Sequence, residues 1–430
     1  MTWFLLVVTI LSQSAKAFAG AGAAADASVV PGLSFDQAIE RILSRSTGIA
    51  TQQANLKATQ ARNLPARLAF LPTVTLDARR VTTDRARLYT LPGYQVEAVA
   101  GLNLFRFGAD VSGWKAATAD EETQQSLLKN EILKTEDQAL QAIVGFVRTQ
   151  LELAVYSHFV ELQQQIVKIA RARYDRGLLP LQEVDRVAID LDNATARLAD
   201  SQTRAVVARS QLVNLLGDEA VRAEWDWKRR LLAVKTIDTD PAKLLESRPD
   251  LQAAGFRVRG EDQRYTRDVQ TVLPTLDADV RYGKYGSTGF GEGDSPQWTA
   301  GIGVTFPVFD HLERYSRARA QSFTRAAAEQ TLEQTRRDAL AEWTSAKQSF
   351  GVAVQSAVSR DRTLKLSENI YSENLKRFQS ARINANDLAI DQSRFYDAEI
   401  LNVQGWSAAH LEFSRYCHAM GKRVEECHGN

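Results

Sequence analysis

Catalytic chemistry in a chain of 430 residues would most readily start from its cysteines and histidines, and there are only two Cys and five His. Four of these form two dipeptides near the C-terminus, Cys417-His418 and Cys427-His428. Thiolate and imidazole both bind metals, but this spacing matches no common zinc pattern. A local disulfide across the nine intervening residues, or no role at all, is the other reading of Cys417 and Cys427. His158, His311 and His410 stand singly in helical sequence. No Ser or Cys nucleophile motif accompanies them, nor H-E-x-x-H, nor a glycine-rich phosphate loop. The expectation is a protein with no catalytic residues, no cofactor and no metal site, and so not an enzyme.

The other patterned charges lie on short alternating segments. Asp77 and Arg79 interleave with Val74, Leu76 and Ala78, and Glu97 with Val96, Ala98, Ala100, Leu102 and Leu104. Asp277, Asp279 and Arg281 interleave with Leu276, Ala278, Val280 and Tyr282, and Gln297, Thr299 and Thr305 with Trp298, Ala300, Ile302, Val304 and Phe306. A period of two puts every apolar member on one face of a strand and the charges on the other. Two environments fit: a barrel with lipid outside and a wet lumen, or a soluble antiparallel sheet with one solvated face. In a barrel, Asp77, Arg79, Glu97, Asp277, Asp279 and Arg281 face the lumen. Tyr89, Tyr94, Phe107, Tyr285, Phe290 and Trp298 would form interfacial girdles. Leu91-Pro92-Gly93 and the segment 283–296 would be extracellular loops. Four strands cannot enclose a conducting lumen, so a barrel requires several chains.

The rest of the chain favours the barrel. Trp3 to Leu11 is an apolar run of signal-peptide length, followed by A-x-A cleavage sites at Ala15-Lys16-Ala17 and Ala17-Phe18-Ala19. Residues 1–19 are thus expected to be a leader, although no Lys or Arg precedes the run. No later segment has the 18 or more consecutive apolar residues of a spanning helix, so any membrane span must be β. Lys plus Arg number 53 against 52 Asp plus Glu, a net +1 that gives nucleic acid no electrostatic footing.

The chain also repeats itself. Leu71-Pro72-Thr73 pairs with Leu273-Pro274-Thr275, and the segment 101–107 with 303–309, at an offset of 202; Arg173-Tyr174 pairs with Arg377-Phe378, Glu183-Val184 with Asp387-Leu388, and the segment 215–217 with 419–421, at 204. So small a drift marks a tandem duplication. The repeats span 33–217 and 248–421, each reading helix, strand, strand, very long helix, turn, helix; 218–247 is a linker and 422–430 a tail. Leu133, Leu140, Val147 and Ala154, then Val155, Leu162 and Ile169, form a drifting coiled-coil seam. From Asp310 to Phe378 no proline intervenes, which predicts a helix of roughly 100 Å.

These features together resemble the TolC-like outer-membrane efflux proteins over essentially the whole mature chain. Leu33-Ser34-Phe35-Asp36-Gln37-Ala38 is similar to that family's opening helix start, and Arg248-Pro249-Asp250-Leu251 to the motif that opens its second half. Ser34, and Ser247 or Asp250, are the expected caps of those helices. Leu273-Pro274, Phe306-Pro307-Val308-Phe309-Asp310 and Arg173-Tyr174-Asp175-Arg176-Gly177 also match family signatures. Gly255 departs from them where an acid is usual, and Ala381 where Gly177 has its counterpart.

The resemblance implies an α+β membrane protein, a homotrimer pooling four strands per chain into a twelve-stranded outer-membrane barrel above a periplasmic α-helical barrel. It implies a passive exit duct of a tripartite efflux or type I secretion system, with a periplasmic adaptor and an inner-membrane RND, ABC or MFS-type transporter, set in outer-membrane lipid. By the same resemblance Asp387 matches the acidic periplasmic constriction, with Asp391 one turn on, Glu183 as the first-half counterpart, and Arg176 and Arg382 as candidate clasps. Read from residues alone, Asp387 and Asp391 are a solvated helix face, and a periplasmic coiled-coil scaffold is the competing function.

Overall fold

The computed structural model describes residues 33–81, 93–217, 246–286, 296–380 and 382–428. The expected leader at 1–19, Tyr89, Phe290 and nearly all of the 218–247 linker lie outside the described residues.

Helix α1 (Phe35–Arg45) opens on a capping box: Ser34 Oγ accepts from the Gln37 amide, and the Ser34 amide donates to Gln37 Oε1 at 3.0 Å. Its Ala38, Ile39, Ile42 and Leu43 form one buried stripe. Helix α2 (Thr47–Arg67) leads to strands β1 (Thr73–Val81) and β2 (Gly93–Phe105). The 66-residue α3 (Ala109–Tyr174) and then α4 (Leu181–Leu216) complete the first half. The second half repeats this with α5 (Pro249–Gln270), β3 (Thr275–Gly286), β4 (Gln297–Thr305), the 67-residue α6 (Glu313–Gln379) and α7 (Ala385–Ala419). At 1.5 Å per residue, α3 and α6 are each roughly 100 Å long. In the segment expected to be a tail, α8 (Val424–His428) buries Val424 and Cys427.

The sheet is an antiparallel meander, β1-β2-β3-β4. β2 pairs with β3 across the whole of α3 and α4, from Tyr94 opposite Gly286 to Phe105 opposite Leu276, with one irregularity between Asn103 and Phe105. β3 runs on to Gly286, so Gly283, expected to begin a loop, is a strand residue opposite Glu97 and Gln297.

Two apolar clusters hold the helices. The one nearer α1 gathers Ile42, Leu140, Ile143, Leu216, Phe350, Trp406, Phe413 and Tyr416; the distal one gathers Val155, Phe159, Val167, Val187, Tyr371, Phe395 and Tyr396. The seam along α3 holds at Leu133, Leu140, Val147 and Val155, all buried. Ala154 is exposed and Ile169 is 41% exposed, while Ile166, Val167 and Ala170 are buried instead. A straight helix of 3.6 residues per turn rotates a seven-residue stripe off its partner within a few turns, which accounts for the shift.

The second half does not open on either expected cap. Arg248 is the N-cap of α5, with no side-chain cap bond, and Pro249 follows at the first helical position. Ser247 Oγ instead donates to the Met420 carbonyl at 3.4 Å. Asp250 turns back on Arg248 at 2.8 Å. Arg248 is buried and donates to the Ala419 carbonyl at 2.9 Å and to Glu342 at 2.7 Å, so the Arg-Pro-Asp-Leu motif fastens α5 to α6 and to the end of α7. These bonds hold the guanidinium above its ordinary pKa although burial opposes its charge.

Candidate functional site in the charged sheet face and the helical tip

The register decides where the strand charges go. Asp77 pairs with Glu97 and Arg79 with Gln95; Asp277, Asp279 and Arg281 stand opposite Asn103, Gly101 and Val99. All six charges therefore share one face. Arg281 bonds Asp279 at 2.9 Å and lies 4.0 Å from Glu97.

The opposite face carries Val74, Leu76, Ile302, Val304 and Trp298, each 70% exposed or more. An exposed apolar surface of this extent needs a non-aqueous partner. A Cβ built on Gly283 would lie 2.7 Å from the Glu97 Cβ, where directly opposed residues normally keep about 5 Å. The backbones of β2 and β3 thus approach closely on the charged side at this point, and only glycine fits there. A polar face backed by an apolar one is the pattern of a barrel wall segment.

At the far end of the helices the chain turns twice. The first turn is closed by Leu178 N–H donating to the Arg173 carbonyl at 2.9 Å, with Gly177 at φ 67°. In the second, the Arg382 N–H donates to the Arg377 carbonyl at 2.9 Å, the same bond one repeat later. Ala381, whose replacement of glycine clouded this turn in the sequence, lies outside the described residues. The two turns lean on each other: the Arg173 guanidinium sits 4.4 Å from the Phe378 ring centroid and donates to the Phe378 carbonyl at 3.2 Å.

The acidic candidates fare differently. Glu183 and Asp387 both occupy the first turn of the helix that leaves the tip, where the helix dipole favours a carboxylate. Glu183 pairs with Arg186 at 3.6 Å. Asp387 is exposed, its N–H donates to Asn384 Oδ1 at 2.8 Å, and its carboxylate meets no cation among the described residues. Asp391 faces α6, accepts from Asn374 Nδ2 at 2.6 Å, and has Arg394 at 3.5 Å. Arg176 and Arg382 are exposed, and among the described residues neither reaches a carboxylate.

Several groups near the tip carried no sequence signal. Gln392 is fully buried, with both amide atoms unpartnered among the described residues. Beside it Tyr396 packs 4.5 Å from Phe159, and burial drives its hydroxyl pKa upward. Glu399 is pushed up to about 7 by burial and by the neighbouring Glu368. At the other end Cys417 and Cys427 are buried side by side as free thiols, and among the described residues no group of His, Cys, Asp and Glu forms a metal site.

A membrane wall segment joined to paired helices of about 100 Å is a specific combination, and one family of sequences carries it. A model of the outer membrane efflux protein family matches residues 38–218 and 241–404. The chain belongs to that family. The pyoverdine export outer membrane protein OpmQ of Pseudomonas putida is 25% identical over 342 residues, 71% of this chain and 68% of that one. Among solved structures, CusC superposes with a TM-score of 0.80 at 12% identity, covering 90% of this chain and 92% of that one. VceC of Vibrio cholerae gives 0.77 at 17%, covering 91% and 96%. The open-state MtrE channel of Neisseria gonorrhoeae gives 0.72 at 16%, covering 90% and 89%. Efflux-family membership places the four-stranded sheet in the outer membrane and the helices in the periplasm. No helix among the described residues is long and apolar enough to cross a membrane.

Proposed function

We propose that this efflux-family protein is a passive exit duct, a homotrimer whose strands pool into one twelve-stranded barrel over a periplasmic helical barrel. The observation that carries this reading is the sheet itself: among the described residues β1 and β4 are its unpaired edges, one face is apolar and exposed, and the other is charged. Open edges demand partners, and further copies of the same strands supply them in a closed ring. Exposed Ile189, Val206 and Val207 on α4, and Phe323, Leu366 and Ile370 on α6, offer the helical part of such an interface.

Asp387 is the group best placed to close the periplasmic end. Threefold symmetry would bring three such carboxylates near the axis, favouring cations and making closure dependent on them. Asp391 supports the tip through Asn374 and Arg394, and Glu183 pairs with Arg186 within the first turns of α4. Opening would follow engagement of the tip by a periplasmic adaptor carrying an inner-membrane RND, ABC or MFS-type transporter. The likeness to a pyoverdine-export protein favours small-molecule efflux over protein secretion.

The test is reconstitution of the detergent-extracted protein in a planar bilayer, with its oligomeric mass measured alongside. Discrete cation-selective conductance from a trimer is expected. A protein soluble without detergent, monomeric and silent in the bilayer would replace the duct with a coiled-coil scaffold.

A further inference from the structure

The outward face of the sheet is not uniformly apolar. In register order it carries Val74, Leu76, Ala78 and Arg80 on β1, and Leu276, Ala278, Val280, Tyr282 and Lys284 on β3. The described positions of β2 and β4 on this face add no charge, and the four strand acids Asp77, Glu97, Asp277 and Asp279 all lie on the opposite side. Arg80 and Lys284 are thus the face's charged residues among the described strands. Both are exposed, and neither has an acidic partner there.

Their height in the sheet is equally one-sided. Helices α2, α3, α5 and α6 all join the sheet at the end holding Thr73, Phe105, Thr275 and Thr305. Arg80 and Lys284 stand at the opposite end, the one turned away from the periplasm. Just below Lys284, Tyr282 pairs with Trp298, 55% and 71% exposed, as an interfacial aromatic layer would be. Arg80 is opposite Tyr94, and Lys284 is opposite Val96 one step down the same strand, which sets the two cations roughly 12 Å apart across β2.

We propose, on the barrel reading above, that Arg80 and Lys284 bind the phosphates of a phosphorylated glycolipid headgroup in the outer leaflet, once per protomer. A cation on the lipid side of a barrel costs a few kcal/mol at the midplane and little at the headgroups, so both residues belong at that level. The guanidinium can grip one phosphate bidentately and the ammonium meets a second as a point charge. The spacing admits two phosphates of a single headgroup.

The experiment titrates purified protein in detergent with a bisphosphorylated lipid A, the same lipid stripped of phosphate, and phosphatidylethanolamine, reading the mass of bound lipid by native mass spectrometry. The wild type should take up the bisphosphorylated lipid, and Arg80→Gln/Lys284→Gln should weaken uptake about tenfold or more, with trimer mass and conductance unchanged. Arg80→Lys, which keeps the charge and loses the fork, should fall between. Equal uptake by wild type and double variant, or equal uptake of the stripped lipid, overturns the proposal. If the double variant does not fold, the stripped-lipid arm on wild type still decides. A protein that neither trimerises nor conducts before any lipid is added fails the duct reading instead.

A separate observation supports a second site. Cys417 and Cys427 lie buried in one cluster, where α8 folds back on the end of α7, on the periplasmic side of the protein. The geometry points to a disulfide joining them. Two thiols give up two protons and two electrons to a disulfide-bearing oxidant, which leaves as a dithiol. Burial and the adjacent Cys427 push the Cys417 thiol above its ordinary range, which favours oxidation before α8 docks over oxidation after it. It would hold Arg423 between Glu136, at 3.3 Å, and Glu40, at 2.5 Å. Protein from the periplasm, unfolded without reductant, should be about 2 Da lighter than its reduced form and resist alkylation, while Cys427→Ser should expose one thiol. Two alkylated thiols in unreduced wild type overturn the assignment.

Discussion

The two halves of the chain follow one backbone path with different residues at the same stations. Where β2 passes into α3, Phe107 and Gly108 take positive φ of 51° and 88°; where β4 passes into α6, His311 and Leu312 do so at 56° and 63°. The first half eases that bend with a glycine and the second forces it on two side chains. At the tip, Pro180 starts α4 without a side-chain cap, whereas Asn384 caps α7 through the Asp387 amide. Glu183 is tied to Arg186, and its counterpart Asp387 meets no cation among the described residues. The two halves keep one path and differ at the helix start that leaves the tip, where the second has a side-chain cap and the first does not.

That contrast can be broken most sharply at the acids. Asp387→Asn should change divalent-cation block of single channels by more than about tenfold, because three charges leave the axis together. Glu183→Gln should leave block unchanged; equal effects would erase the distinction between the halves. Next in size is Glu399, whose first-half counterpart is Thr195, a residue that donates to the Leu191 carbonyl. A carboxyl with its folded pKa raised to about 7 holds its proton more tightly when folded, so stability should fall as pH climbs from about 4.5 toward about 7 and then level off. Glu399→Gln should remove that slope and add about 2 kcal/mol at pH 8, after discounting for partial exposure, read by thermal melting at both ends of the range. At the strand-to-helix bends, Leu312→Gly should stabilise by about 1 kcal/mol and Gly108→Ala destabilise by a similar amount. Asn384→Ala should cost about 1 kcal/mol at the tip, and Pro180→Ala less, since no cap bond is lost there.

The sheet was legible because alternation at period two assigns a face without knowing a partner: all six charged positions expected on one side of the sheet are there. The long helices were legible for a similar reason, an unbroken run of helix formers. Pairing between β2 and β3 was not, since neighbours separated by two long helices leave no local trace. Arg248 was missed as a cap because its bonds go to Ala419 and Glu342, which only the closed fold brings near. Glu399 was missed because its environment is made by α6 and α7 meeting, and His311 and Leu312 because strain at positive φ shows only in the backbone.

The unpaired edges of β1 and β4 bear on inheritance as well as architecture. In the proposed ring every copy is both a left and a right neighbour, so no copy can be faulty in private. A cell making a sound and a gate-locked version together would assemble most of its ducts with at least one locked member. Such an allele should be dominant over the wild type, while an allele that spoils a strand edge, and so never enters the ring, should be recessive.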